Sequence, residues 1–101
     1  MTWTKVAVRA DLERQSPLGV AVNGEEIALF WLDGAPHATA NICTHAFARL
    51  SDGFVDGGCI ECPIHQALFD IKTGAVLGGP ASEPIRTYSC RVAGESVEID
   101  L

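Results

Sequence analysis

The stretch NICTHAFARLSDGFVDGGCIECPIHQALFDIKTG, residues 41–74, decides how this chain is read. Within it, Cys43-Thr44-His45 is followed after sixteen intervening residues by Cys62-Pro63-Ile64-His65. Each box sets one soft thiolate beside one imidazole, and each follows a short strand-like run, residues 38–42 before the first and 59–61 before the second. Four ligands of this type could hold one tetrahedral zinc, for which C-x₂-C and H-x₃₋₅-H spacings are usual. Here the two cysteines are not neighbours, and one cysteine–histidine pair is split by a single residue. Such a pair in an extended loop reaches two metal positions more readily than one small ion. An object with one metal taking both cysteines and another taking both histidines fits better.

The sequence around the boxes is strand-like. Residues 3–9, 19–22 and 26–32 are short, rich in β-branched or aromatic side chains, and bounded by turn formers. Asn23-Gly24 and Asp33-Gly34 are hairpin signals. Residues 54–55, 59–61, 67–71, 85–92 and 96–101 continue the pattern, with turns at 72–74 and 93–95. Residues 11–15 and 47–50 could each form about one helical turn, too short to stand alone. The patterning predicts a small antiparallel all-β domain, a sandwich or open barrel.

Composition narrows the function. The chain has 101 residues, 13 acidic and 7 basic, for a net charge of −6. One domain, 1–101, is expected at that length. A hydrophobic share of 48% argues against disorder. The negative charge argues against binding nucleic acid. The longest apolar run, residues 27–32, is far short of a membrane span. No charged-then-apolar leader precedes it, which reads as a chain that is not exported. Residues 51–101 hold eight acids and three bases, an excess that serves solubility or forms a docking face for a basic partner.

The ligand set Cys43, His45, Cys62 and His65 is that of a Rieske [2Fe–2S] centre, where two histidines replace two cysteines on one iron. The paired boxes resemble those of Rieske proteins, and the likeness runs from Trp3 to Leu101. It is nearest the small Rieske ferredoxins of aromatic-ring hydroxylating dioxygenases such as those for naphthalene and biphenyl. The segments at residues 48–53 and 69–74 strengthen that resemblance. It implies an all-β, antiparallel Rieske fold: a β-sandwich-like base, with a cluster-binding subdomain of about residues 41–82 carried on two loops. It also implies one [2Fe–2S] cluster per chain, with Cys43 and Cys62 on one iron and His45 and His65 on the other.

The same resemblance implies a potential. Quinol-oxidising relatives add a cysteine to each box, where this chain has Ala48 and Ile64, so the disulfide between their loops cannot form here. They also place serine and tyrosine hydroxyls near the sulfurs, where this chain has Ala67 and Phe69. Without those donors the added electron is less stabilised, which predicts a potential near the roughly −150 mV end of the Rieske range. Two ferric ions, two sulfides, two thiolates and two neutral imidazoles sum to zero, so reduction changes the charge only to −1. Where many relatives have glycine, this chain has Ala46 and, in the second loop, Gln66 or Ala67. Gly78-Gly79-Pro80 stands where the family has a third loop covering the cluster.

Three roles are compatible with these boxes: a one-electron carrier between a flavin-containing NAD(P)H reductase and a terminal Rieske non-haem iron oxygenase, the small subunit of a nitrite reductase, or a structural zinc module. Counting favours the carrier. A mononuclear iron needs two histidines and a carboxylate, and only His37 lies outside the boxes. No G-x-G-x-x-G offers a dinucleotide site. The chain is therefore expected not to be an enzyme alone, and to work as a cytoplasmic monomer without membrane or nucleic-acid partners. His45 and His65 would form the electron port, with Phe47, Leu68 and Pro80 around it. Cys59 and Glu61 should share one strand face and Ile60 and Cys62 the other, which makes Cys59-x-x-Cys62 a poor redox pair. Cys90 reads as a core thiol and His37 as a surface histidine at a turn.

Overall fold

The computed structural model describes residues 2–44 and 47–101. Among them, eleven strands form three antiparallel sheets. The first sheet joins β1 (Trp3–Val8), β11 (Ser96–Asp100) and β10 (Cys90–Ala93) in that order. The second runs β2 (Leu18–Val22), β3 (Glu25–Leu32), β4 (Ala35–Ala40) and β9 (Thr87–Tyr88). The third runs β5 (Phe54–Asp56), β6 (Cys59–Glu61), β7 (Leu68–Asp70) and β8 (Val76–Gly78). The two hairpins of the second sheet turn where expected. Asn23-Gly24 and Asp33-Gly34 have φ of 51°, 81°, 52° and 75°, the left-handed pairs that match the twist of the flanking strands.

The apolar run at residues 27–32 becomes the wall between two cores. Successive side chains of a strand face opposite ways. Ile27 and Leu29 therefore pack with Leu12, Ala38, Val97 and Ile99 in the base, between the first two sheets. Ala28 and Phe30 pack on the other side with Leu50, Ile60, Phe69, Ile71 and both box cysteines. β3 is thus buried on both faces, which is why it reads as continuous rather than alternating.

Several local expectations shift. The helical turn is α1 (Arg9–Arg14), earlier than residues 11–15; Leu12 anchors it, and Arg9–Glu13 and Arg14–Asp11 ion pairs span its surface. The second turn is 3₁₀ and lies at Leu50–Asp52, because residues 47–48 are taken up in closing the first box. The run at 38–42 forms a strand only to Ala40. The run at 85–92 divides: Thr87–Tyr88 pair with Ala38–Thr39 in the second sheet, whereas Cys90–Ala93 pair with residues 96–99 in the first. Ser89 is the crossing point, and its carbonyl accepts the Asp100 N–H at 3.0 Å. His37 lies within β4 opposite Phe30 and is half-buried, not at a turn. Gly78 closes β8, which leaves Gly79-Pro80 as the turn.

Candidate metal centre

The two box cysteines are set by ladders of the same construction. Ile42 bridges Arg49, and the Cys43 N–H donates to the Ala48 carbonyl at 2.9 Å. Glu61 pairs with Leu68, and the Cys62 N–H donates to the Ala67 carbonyl at 2.7 Å. Each cysteine amide thus closes its loop on the carbonyl five residues downstream. Ala48 and Ala67 are themselves buried at these closures.

The cysteines point inward. Cys43 and Cys62 are 4% and 0% exposed and belong to one apolar cluster. Their side chains are hydrogen-bonded, and the Ile64 N–H is directed at the Cys62 sulfur. Burial, and after it the neighbouring Cys43, push the Cys62 thiol above its ordinary range, while the Ile64 amide pulls the other way. Two thiolates so close in an apolar pocket repel each other unless a cation lies between them. The donor set therefore fits an iron held by both sulfurs.

His65, by contrast, is exposed. It and Gln66 have φ of 62° and 60°, so two successive non-glycine residues hold the left-handed conformation that turns this loop back toward Ala67. His45 and Ala46 lie outside the described residues. Phe47 is 99% exposed, Pro80 is exposed and Leu68 is half-buried.

A third segment spans the two boxes. Thr44 Oγ1 donates to the Glu83 carbonyl at 2.9 Å, tying the first box to residues 81–85. Ala81 and Ile85 enter the same core as the cysteines. Gly79, at φ 81°, lies against the backbone of Gln66 and Ala67. Gly78-Gly79-Pro80 flags this loop in the sequence, but the Thr44–Glu83 contact joins residues 39 apart and leaves no local signal. Cys59 and Glu61 are half-buried on the face of β6 opposite buried Ile60 and Cys62, as strand alternation predicts.

A profile of the Rieske [2Fe–2S] domain matches residues 2–89. The chain belongs to that family. This Rieske domain is 43% identical to the ferredoxin component of a naphthalene 1,2-dioxygenase system from Pseudomonas aeruginosa, over 98% of this chain and 95% of that protein. Among solved structures it resembles a ferredoxin of Sphingomonas yanoikuyae B1, at 36% identity, with a TM-score of 0.92 over 99% of each chain. It also resembles a chain from a complex of reduced oxygenase and oxidized ferredoxin in carbazole 1,9a-dioxygenase. That match has 31% identity and a TM-score of 0.88, over 96% of this chain and 91% of that one. The all-β, antiparallel Rieske fold expected from the boxes is the fold found.

The surface beside the Rieske loops is acidic. Residues 50–71 include Asp52, Asp56, Glu61 and Asp70 and no lysine or arginine. The basic residues flanking that span face other acids: Arg49 pairs with Glu26 at 2.6 Å and Lys72 with Asp33 at 3.2 Å. Across the third sheet, Phe54, Glu61 and Leu68 stand in one cross-strand row and Asp56, Cys59 and Asp70 in another, with the row of Val55, Ile60 and Phe69 between them.

Proposed function

We propose that this protein is a one-electron carrier that takes electrons from a flavin-containing NAD(P)H-dependent ferredoxin reductase and delivers them to the terminal Rieske non-haem iron oxygenase of an aromatic-ring hydroxylating dioxygenase. Cys43 and Cys62 would hold one iron of a [2Fe–2S] cluster and His45 and His65 the other, one cluster per chain. Residues 1–101 act as one domain with its cluster-binding part at about 41–82, and the chain works as a monomer in the cytoplasm. One observation carries the reading: the thiol pair is sealed in an apolar core while His65, on the same loop as Cys62, is exposed.

When bound, such a cluster supplies a one-electron couple. The chain's own residues set how that couple is held and reached. The buried thiols and their apolar surroundings exclude water from the sulfur side. The Ile64 amide donates to the Cys62 sulfur, whereas Ala67 and Phe69, both buried, bring no hydroxyl donor. That favours the low-potential end of the family's range. Exposed His65 with exposed Phe47 offers a small apolar contact for a partner, and the acidic residues of the third sheet would speed encounter with a basic one. The relatives' description as ferredoxin components and the oxygenase–ferredoxin complex among the structural neighbours support this role.

The test is purification under anaerobic conditions, assay of iron and acid-labile sulfide, and redox titration. Equal iron and sulfide with a midpoint well below zero is expected. A colourless, zinc-containing protein would refute the proposal. His65→Ala should abolish the Rieske spectrum, and product formation with candidate reductase–oxygenase pairs should identify the partners.

A further inference from the structure

The segment at residues 48–53 marks the subgroup in the sequence, yet no proposed ligand lies in it. Its place in the structure gives it work. Asn41 is buried, at 2% exposure, two residues before Cys43 of the first box. Its side-chain carbonyl accepts the Ser51 N–H at 2.8 Å, and its Nδ2 donates to Ser51 Oγ at 2.9 Å. Its backbone is held as well: the N–H donates to the Glu26 carbonyl at 2.9 Å and the carbonyl accepts the Leu50 N–H at 2.7 Å.

These bonds stand at the foot of a ladder. Above them come the Ile42–Arg49 bridge and the Cys43–Ala48 bond, and beyond those the box itself. Whatever sets the spacing of residues 41 and 51 therefore sets where Cys43 begins. A second contact bears on the same pair. Gly19 of β2 passes so close that a Cβ there would stand 2.8 Å from Ser51 Oγ and 3.1 Å from Asn41 Nδ2. The clasp is thus wedged between the base and the loop, and each of its side-chain groups has a partner.

We propose that Asn41 and Ser51 form a positioning clasp that fixes the geometry of the first box, and through Cys43 the environment of the cluster. The inference rests on the ligand reading above. Outer groups that orient metal ligands typically change metal affinity by about 10–100-fold when removed. A pair that served only folding would lower stability and leave the bound cluster's signature alone.

The test compares four holo-protein variants: Asn41→Ala, Ser51→Ala, Gly19→Ala and, as a control in the base core, Val97→Ala. Each is examined by electron paramagnetic resonance of the reduced protein, by the rate of iron loss to a chelator, and by thermal melting. Both clasp deletions should lose iron about tenfold faster or more, with shifted or broadened resonance lines. Gly19→Ala, which keeps every hydrogen-bonding group but crowds the clasp, should broaden the lines too. Val97→Ala should melt lower with the parent spectrum. If Asn41→Ala does not fold, Ser51→Ala, which deletes one oxygen, decides. Clasp variants that keep the parent line shape and lose iron only in proportion to their melting overturn this inference and leave the ligand reading intact. A parent protein with no Rieske resonance overturns both.

Discussion

Gly79 packs edge-on to Ala67: a Cβ on Gly79 would lie 2.6 Å from the Ala67 Cα and 2.7 Å from the Gln66 carbonyl oxygen. The third loop can cover the second box only because position 79 has no side chain, and its φ of 81° suits glycine in any case. Gly79→Ala should therefore cost about 2 kcal/mol or more, since backbone clash adds to the strain of a left-handed alanine. Gly94 has φ 61° and open space around it, so Gly94→Ala isolates the strain, at about 1 kcal/mol. Urea denaturation of the two variants checks the difference. Equal losses would mean that the loop contact is not tight.

Phe47 is an aromatic side chain left almost wholly in solvent, two residues after the first box in the sequence. Such residues commonly anchor interfaces. Phe47→Asp should slow electron delivery to the oxygenase about tenfold, corresponding to roughly 1.4 kcal/mol of lost contact, and leave the visible spectrum unchanged. Stopped-flow reoxidation of the reduced protein measures it. An unchanged rate removes Phe47 from the docking face.

Burial, and after it the nearby Lys72, hold the His37 imidazole below its ordinary value of 6.5, and Asp33 opposes them only in part. The unfolded chain then takes up this proton at a higher pH than the folded one. The contribution to stability is present above about pH 6.5 and is lost as the pH falls through the lower folded value. The urea midpoint should fall more between pH 7.5 and 5.5 in the parent than in His37→Gln. Parallel curves would show that His37 does not titrate differently on folding.

Cys90, expected as a core thiol, is half-buried at the edge of the base core, and burial pushes its thiol up to about 11 against the pull of the Arg91 amide. Its thiolate fraction at pH 8 should be about a hundredfold below that of an ordinary cysteine, and alkylation by iodoacetamide correspondingly slow. The linked stability is fully present below pH 9 and declines as the pH rises toward 11. Mass spectrometry of labelled peptides in the folded and urea-unfolded protein tests this. Equal labelling rates would refute it.

The boxes, both hairpin turns and the strand at β3 were legible in the sequence because each rests on neighbouring residues, whereas the burial of β3 on both faces was not. A left-handed Asn-Gly turn, a period-two strand or a C-x-x-H box is a local fact. The division of residues 85–92 between two sheets was not legible, because the choice of partner strand depends on Ala38 and Ile99, far away in the chain. His37 looked like a turn residue because Pro36 and Gly34 precede it, and only pairing with Phe30 draws it into β4.

By itself, then, the sequence determined the types and spacing of the proposed ligands, the absence of hydroxyl donors at positions 67 and 69, and an antiparallel β framework. Residue chemistry and short-range periodicity are enough for those. Tertiary structure alone decided that Cys43 and Cys62 share one apolar core while His65 faces outward. It also decided that Asn41 clasps Ser51 and that Gly79 and Glu83 bring a third segment over both boxes. Those relationships join residues 10 to 39 positions apart through hydrogen bonds and close backbone contact, and they exist only once two hairpins and two cores have closed on each other.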